Sequence, residues 1–176
     1  ELFLRWAEQA AFTPFMRSHE GNRPKDNWQF DSDEETLAGL GRMGRLHAAL
    51  KPYLKACVGE NAREGVPVMR PLFLHFEEDP EAWSLEDEYL LGPDLLAAPV
   101  LEEGATRRRL HLPPGAWIHL WSGSRLEAPA PGGASVEVEA PLGEPPAFYR
   151  EGSLWTATFA AAAAAARAAR SSAPGR

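Results

Sequence analysis

Apolar residues recur at helical spacing over the N-terminal third of the chain. In 1–11, Leu2, Trp6 and Ala10 lie four residues apart and share one face of a predicted amphipathic helix. A second, longer helix over 33–62 is predicted from an apolar stripe with steps of three and four residues, formed by Leu37, Leu40, Met43, Leu46, Leu50, Tyr53 and Leu54. Pro52 should kink or restart this helix, because its ring clashes with the preceding turn.

The start of the long helix carries residues that favour helix initiation. Ser32 followed by Glu35 matches a capping box, in which the hydroxyl accepts from a free backbone N–H and the carboxylate reaches back to another. Asp33 and Glu34 place negative charge at the positive end of the helix dipole. We therefore expect the helix to begin at Asp33.

A predicted buried strand leads into a polar loop ahead of this helix. The segment 12–18 is short, apolar and aromatic, and Pro14 would have to lie at the start of the strand. The following segment, 19–31, is too polar and too rich in glycine and proline to be regular. His19 is the first residue of that loop. In parallel barrels the C-terminal ends of strands build the active site, so His19 is a candidate binding residue.

The pattern changes after Gly65, where short apolar runs separated by glycine and proline replace helical spacing. These runs predict strands at 66–76, 89–100, 107–112, 117–121, 135–139 and 146–149. Closely spaced short strands of this kind are typical of an antiparallel sandwich. After Trp155 the pattern is lost, and the Ala-rich tail is expected to be a frayed helix or disordered.

Together these elements predict an α/β unit followed by an all-β unit. Residues 1–64 are expected to form the last strand and helix of a (β/α)8 barrel, 65–155 an antiparallel β-sandwich, and 156–176 the tail. The chain starts inside a helical pattern at Glu1, without a recognisable signal peptide, so it is expected to be part of a longer protein.

Composition narrows the function classes. The 176 residues carry a formal net charge of −7 and no apolar run long enough to span a bilayer, so neither a nucleic-acid partner nor a membrane partner is expected. The basic triplet Arg107–Arg109 is isolated and is expected to be a solvated edge. One cysteine, Cys57, excludes an internal disulfide and favours a cytoplasmic location.

Several loop residues could contact a ligand, and each has a structural alternative. The imidazole of His19 offers one donor and one acceptor, which suits two hydroxyl groups of a ligand, or it ties the loop together. Arg17 and Arg23 could bind a ligand or form structural ion pairs, and the structural alternative is favoured for Arg23. Trp28 could stack on the apolar face of a ligand or pin the loop to the barrel.

Other chemistry lacks a matching pattern. No pair of carboxylates stands out for acid–base work, since Asp33, Glu34 and Glu35 are explained by capping and Glu20 and Asp26 by loop hydrogen bonds. The segment 77–79 is expected to be a solvated acidic turn. The remaining histidines lack the spacing of metal ligands; they are His47, His75, His111 and His119. The sequence also has no glycine-rich phosphate-binding loop, so neither a metal nor a cofactor is expected.

An ordered set of motifs resembles glycoside hydrolase family 31. They are Phe12-Thr-Pro-Phe-Met-Arg-Ser-His19, Lys51-Pro-Tyr-Leu54, Pro67-Val-Met-Arg-Pro-Leu-Phe73, the segment 89–104, Leu112-Pro-Pro-Gly-Ala-Trp117 and Trp121-Ser-Gly123. Within the family, His19-Glu-Gly-Asn-Arg-Pro24 and Asp26-Asn-Trp-Gln-Phe30 are most similar to sulfoquinovosidases. General α-glucosidases of the family more often have Arg-Asn-His-Asn where this chain has Arg17-Ser18-His19-Glu20.

The resemblance implies a retaining α-glycosidase acting on a sugar glycoside, here an α-sulfoquinovoside. It places both catalytic aspartates upstream, so no catalytic residue is expected in this chain, which should be inactive without the N-terminal part of the barrel. His19 matches the family histidine of the −1 subsite, and Arg17 and Trp28 are further candidate substrate-binding residues. The alternatives are a family 31 α-glucosidase or α-xylosidase, a carbohydrate-binding β-sandwich using Trp117 and Trp121, and a purely structural domain.

Overall fold

Helices form the N-terminal part and the C-terminal end of the computed structural model, which describes residues 1–19, 21–23 and 25–168. They are α1 (Leu2–Ala11), α2 (Glu34–Ala49), α3 (Lys51–Glu64) and α4 (Thr156–Ala168). Within the described residues, none of them combines the length and apolar content needed to cross a membrane.

The middle of the chain contains short strands and two single 3-10 turns. The strands are β1 (Met69–Arg70), β2 (Tyr89–Leu91), β3 (Leu95–Ala97), β4 (Arg107–Leu112), β5 (Gly115–His119), β6 (Arg125–Ala128), β7 (Ala134–Glu139) and β8 (Ala147–Arg150). The 3-10 turns are Leu72–Leu74 and Glu81–Trp83, so most of the strand predicted at 66–76 is not extended. The prediction for β4 is confirmed at both ends.

The predicted long helix is two helices that meet at Leu50. Pro52 lies in the first turn of α3, where its missing N–H costs nothing, so the expected restart is confirmed. The capping prediction is displaced by one residue: Asp33 is the N-cap, and its carboxylate accepts from the Thr36 N–H at 2.6 Å. The Ser32 hydroxyl instead accepts from the Gln29 N–H at 2.7 Å.

The strand predicted over 12–18 is not formed, so the prediction of a strand for this segment is wrong. These residues lack regular structure; Phe12 is buried, whereas Phe15 is 72% exposed. A parallel barrel strand is stabilised by hydrogen bonds to strands on both sides. The described part of the chain contains antiparallel pairs at a distance from this segment, so 12–18 has no strand to pair with.

The β unit is one large antiparallel sheet with a separate ribbon. The six-stranded sheet has the order β1-β2-β3-β8-β5-β6, and β4 pairs with β7 over six residue pairs. The predicted Gly-Pro break in 89–100 is the turn between β2 and β3. The antiparallel prediction is confirmed, but the two sheets are unequal in size rather than the matched layers of a sandwich.

Apolar residues cover both faces of the six-stranded sheet. Alternate residues of β2, β3 and β8 face the helices and include Leu91, Leu95 and Ala147, which belong to one buried core with α1–α4. Their neighbours face the opposite side in a second core, which includes Leu90, Leu96, Phe148, Leu72, Leu110 and Trp117. The period of two along each strand thus places helices on one side and the ribbon and 3-10 turns on the other.

The Ala-rich tail is ordered over 156–168, so the expectation of disorder is wrong there; 169–176 lie outside the described residues. Phe159 is fully buried and meets Tyr53 edge to face, with 4.9 Å between ring centroids. Ala162 and Ala166 are also fully buried. Small side chains let α4 approach α2 closely, and this packing supplies the driving force that the weak pattern did not reveal.

Helix α1 is turned opposite to the predicted orientation. Leu2 and Trp6 are 80% and 68% exposed, whereas Arg5 and Glu8 are buried. The Arg5 guanidinium donates to Glu8 at 3.0 Å and to the Ala105 carbonyl at 2.7 Å. Burial raises the pKa of Glu8, against the opposing effects of a backbone N–H that donates to its carboxylate and of Arg5. A buried, hydrogen-bonded charge pair therefore fixes α1 to the loops of the β unit.

Candidate functional site

One large open cleft lies beside α1 and the irregular segments on either side of His19. It has a volume of about 1070 Å³. His19, Arg17 and Trp28 all line it, although up to eleven positions separate them along the chain. The three residues nominated as substrate contacts are therefore brought to one surface. The exposed α1 residues Leu2 and Trp6 form another part of the wall.

The orientation of His19 is fixed by the loop that it opens. Its Nδ1 accepts a hydrogen bond from the Gly21 N–H at 2.9 Å. Gly21 has a φ of +76°, in the left-handed region that favours glycine, and a Cβ there would lie 2.8 Å from the Asn27 amide nitrogen. In the neutral imidazole an accepting Nδ1 leaves the proton on Nε2. His19 is exposed, so its Nε2–H is available to donate into the cleft.

Trp28 is anchored at its edge and open over its ring. Its indole N–H donates to the Thr36 hydroxyl at 2.9 Å, and 59% of the side chain is exposed. Thr36 is itself buried and donates its backbone N–H to the Asp33 cap. These cap hydrogen bonds lower the pKa of the Asp33 carboxyl. The start of α2 thus pins the loop, which is one of the two roles considered for Trp28, and leaves the ring exposed.

The two loop arginines differ in position. Arg17 is exposed on the cleft wall. Arg23 contributes a turn through its backbone, since its carbonyl accepts from the N–H groups of Asp26 and Asn27 at 3.0 Å. This turn lies between His19 and Trp28 in the chain and shapes the loop that joins them.

The cleft contains little acid–base chemistry of its own. Among the described residues that line it, Glu1 is the one carboxylate, and its oxygens accept from the Gly104 N–H at 3.0 Å. Glu20 lies outside the described residues. Over the residues that the structure describes, no group of three His, Cys, Asp or Glu side chains could hold a metal ion. The described walls can bind a ligand through donors and apolar surface.

A buried acidic cluster far from the cleft was missed by sequence reasoning. Asp79 is 1% exposed, and its carboxylate lies 2.7 Å from His111 Nε2, so the prediction of a solvated turn is wrong for this residue. Glu88 accepts from the His111 backbone N–H at 2.9 Å, and burial raises its pKa to about 7. The cluster fastens the loop after β1 to the β4–β7 ribbon, so its role is structural.

The two tryptophans proposed as a sugar platform are core residues. Trp117 is fully buried and Trp121 is 4% exposed. Their indole N–H groups donate to the carbonyls of Pro113 at 2.8 Å and Pro145 at 2.6 Å. Neither ring has a face available to a ligand, so the carbohydrate-binding alternative is wrong as far as it relied on these two residues.

Family profiles match both parts of the chain. The profile of the glycosyl hydrolases family 31 TIM-barrel domain matches residues 1–56, and that of the family 31 C-terminal domain matches residues 65–154. The chain belongs to glycoside hydrolase family 31. Residues 1–56 therefore correspond to part of the family's barrel domain, and residues 65–154 to its C-terminal domain.

The similar proteins include enzymes with a named substrate. The sulfoquinovosidase of Escherichia coli is 54% identical over 91% of this chain, and that of Agrobacterium fabrum is 54% identical over 85%. A solved family 31 sulfoquinovosidase from E. rectale, in complex with an aza-sugar inhibitor, superposes with a TM-score of 0.87 at 46% identity over 93% of this chain. The chain spans about a quarter of these relatives, 23%, 22% and 24% of their lengths.

Proposed function

We propose that this chain provides one wall of the active site, and the supporting C-terminal domain, of a retaining α-glycosidase that hydrolyses α-sulfoquinovosides. The observation that carries the proposal is the single cleft lined by His19, Arg17 and Trp28 in a family 31 chain. The sulfonated sugar is inferred from the 54% identity to two sulfoquinovosidases.

Each cleft residue has a role that its geometry supports. His19 donates its Nε2–H to a hydroxyl of the sugar in the −1 subsite, with Nδ1 held by the Gly21 N–H. The exposed Trp28 ring covers an apolar C–H face of the substrate, and its anchored edge limits the entropy lost on binding. Arg17 supplies a permanent positive charge, which suits an anionic substrate.

The remainder of the barrel is the proposed partner of this chain. Leu2, Trp6 and Phe15 are 80%, 68% and 72% exposed along the cleft, an apolar surface that calls for a covering structure. Retaining hydrolysis needs two carboxyl groups about 5–5.5 Å apart. Among the described cleft residues Glu1 is alone, so the partner supplies both catalytic carboxylates and the isolated chain is inactive.

Two other substrate classes remain as alternatives. An α-glucosidase from Bacillus thermoamyloliquefaciens is 36% identical over 87% of this chain, and an α-xylosidase from Saccharolobus solfataricus is 29% identical over 88%. The higher identity to sulfoquinovosidases favours the sulfonated sugar. Because sugars of all three classes present hydroxyls to a −1 subsite, His19 would keep its role with each of them.

Substrate comparison on the full-length enzyme tests the proposal. We expect release of 4-nitrophenol from the α-sulfoquinovoside with a higher kcat/KM than from the α-glucoside or α-xyloside, and no release by the 176-residue chain alone. His19→Ala should lower kcat/KM by about 5- to 150-fold, the effect of one lost hydrogen bond of about 1–3 kcal/mol. His75→Ala, an exposed histidine outside the cleft, is the matched control. Equal loss in both variants, or turnover by the isolated chain, would contradict the proposal.

A further inference from the structure

A second exposed aromatic surface lies on the far side of the sheet from the cleft. It is formed by the exposed Trp83 and the half-buried Phe73, one in each of the two 3-10 turns. Phe73 packs against the core on the ribbon side of the sheet, whereas α1 and α2 belong to the core on the other side. The six-stranded sheet therefore separates this surface from the helices that border the cleft.

The Trp83 ring is rigidly presented. It stacks on Phe73 with 4.7 Å between ring centroids and 10° between the planes, and yet 59% of its side chain is exposed. One face is thus covered by Phe73, and the other faces outward. The indole N–H donates to the Glu77 carbonyl at 2.9 Å, and Ala82 beside it is buried, so both the ring edge and the backbone are fixed.

A fixed, outward-facing indole ring matches the flat C–H face of a pyranose. Stacking buries apolar carbon on both partners, and pre-organisation of the ring lowers the entropy lost on binding. Apolar and hydroxyl groups alternate on such a sugar, so its hydroxyls would meet the surrounding polar rim.

The charge of that rim selects among sugars. The segment around Trp83 is acidic, with exposed carboxylates at Glu77, Glu78, Glu81 and Glu86. Carboxylates accept hydrogen bonds from hydroxyls but repel anions. A sulfonated or carboxylated sugar is therefore disfavoured, and a neutral one is favoured.

We propose that Trp83, stacked on Phe73, is an ancillary binding site for neutral pyranose units of an oligosaccharide or glycan. The site uses none of the cleft residues, and its ligand differs in charge from the substrate proposed for the cleft. It would attach the protein to a neutral carbohydrate independently of hydrolysis, so it goes beyond the proposed function and does not depend on it.

Saturation-transfer NMR on the full-length protein tests the site with a matched pair of ligands. Methyl β-D-glucopyranoside is the neutral probe, and its β-linkage keeps it from being an α-glycosidase substrate. Methyl β-D-glucuronide has the same ring with a carboxylate. We expect transfer to the glucoside and much weaker transfer to the glucuronide. In Trp83→Ala the glucoside signal should fall about tenfold, the equivalent of one lost aromatic contact.

Two further variants make the result specific. Trp83→Phe retains a flat ring on Phe73 and should keep both the fold and part of the signal, which separates loss of the platform from loss of structure. Leu154→Ala removes an apolar side chain that is 98% exposed elsewhere and should change nothing. Wild-type protein without glucoside transfer, or a folded Trp83→Ala variant with full signal, would overturn the proposal.

Discussion

Gly92 provides a sharp test of how the helices join the β unit. It lies in the turn between β2 and β3 with a φ of +60°, and a Cβ there would lie 2.8 Å from Tyr53 Cζ and in still closer contact with Tyr53 Oη and Cys57 Sγ. Tyr53 is fully buried in α3, donates its hydroxyl to the Leu91 carbonyl at 2.6 Å and accepts from the Asp94 N–H at 3.0 Å. The ring cannot move aside without breaking both hydrogen bonds.

The expected cost of Gly92→Ala is the sum of two effects. An alanine at positive φ is destabilised by about 1 kcal/mol. Overpacking of a closed core, together with strain on the Tyr53 hydrogen bonds, adds about 2–3 kcal/mol. Gly104 is a matched control, because its φ is +74° but no heavy atom lies within 4 Å of a Cβ built there. Gly104→Ala should therefore show the backbone effect of about 1 kcal/mol alone.

Thermal unfolding of the two variants under the same conditions measures the difference. With about 2–4 °C of melting temperature per kcal/mol for a chain of this size, Gly92→Ala should lower Tm by about 6–16 °C and Gly104→Ala by about 2–4 °C. Adding Cys57→Ala to Gly92→Ala should recover only part of the loss, because Tyr53 remains in place. Equal shifts in the two glycine variants would refute the argument that α3 is wedged against this turn.

Two further predictions concern exposed and buried groups. The isolated chain should self-associate through its uncovered apolar cleft wall, and analytical ultracentrifugation should find that Leu2→Glu with Trp6→Glu makes it monomeric whereas Leu154→Glu does not. The pKa of Glu88, raised by burial to about 7, means that its contribution to stability is complete below about pH 4.5 and is lost as the pH rises through 7. Wild-type Tm should therefore fall relative to Glu88→Gln between pH 5 and 8, and parallel profiles would contradict this.

The elements that were predicted well depend on local pattern. Strand β4 ends in a short, mostly apolar run, 110–112, directly before the Pro-Pro-Gly turn at 113–115, so its C-terminal bound follows from neighbouring residues, although its partner β7 lies beyond β5 and β6 in the chain. Strand β6, Arg125–Ala128, was missed because it is a short edge strand with as many charged as apolar residues. Arg125 pairs there with Glu127 and Glu151 at 2.7 and 2.8 Å, so the strand has little apolar content to detect.

The residues that were predicted wrongly depend on partners that lie far away in the chain. Asp79 looked solvated because its partner, His111, is 32 positions away in the chain. The tail seemed patternless because alanine carries a weak apolar signal, although alanine is what close packing of α4 against α2 requires. The sequence was enough to predict some of the residues that line the cleft. It was not enough to predict the hydrogen bond from Trp28 to Thr36, which explains how the ring can be both anchored and exposed.

The exposed apolar face of helix α1 is part of the candidate site and also lacks a covering structure in the described part of this chain. A surface helix normally buries its apolar stripe and exposes its charges, and α1 does the reverse, with Arg5 and Glu8 buried and Leu2 and Trp6 exposed. The apolar face of α1 becomes buried only if further structure covers Leu2 and Trp6. That apolar face is also a wall of the cleft that His19 borders. We infer that whatever covers α1 also closes the cleft, so that self-association of the isolated chain and completion of the proposed sugar site compete for the same surface.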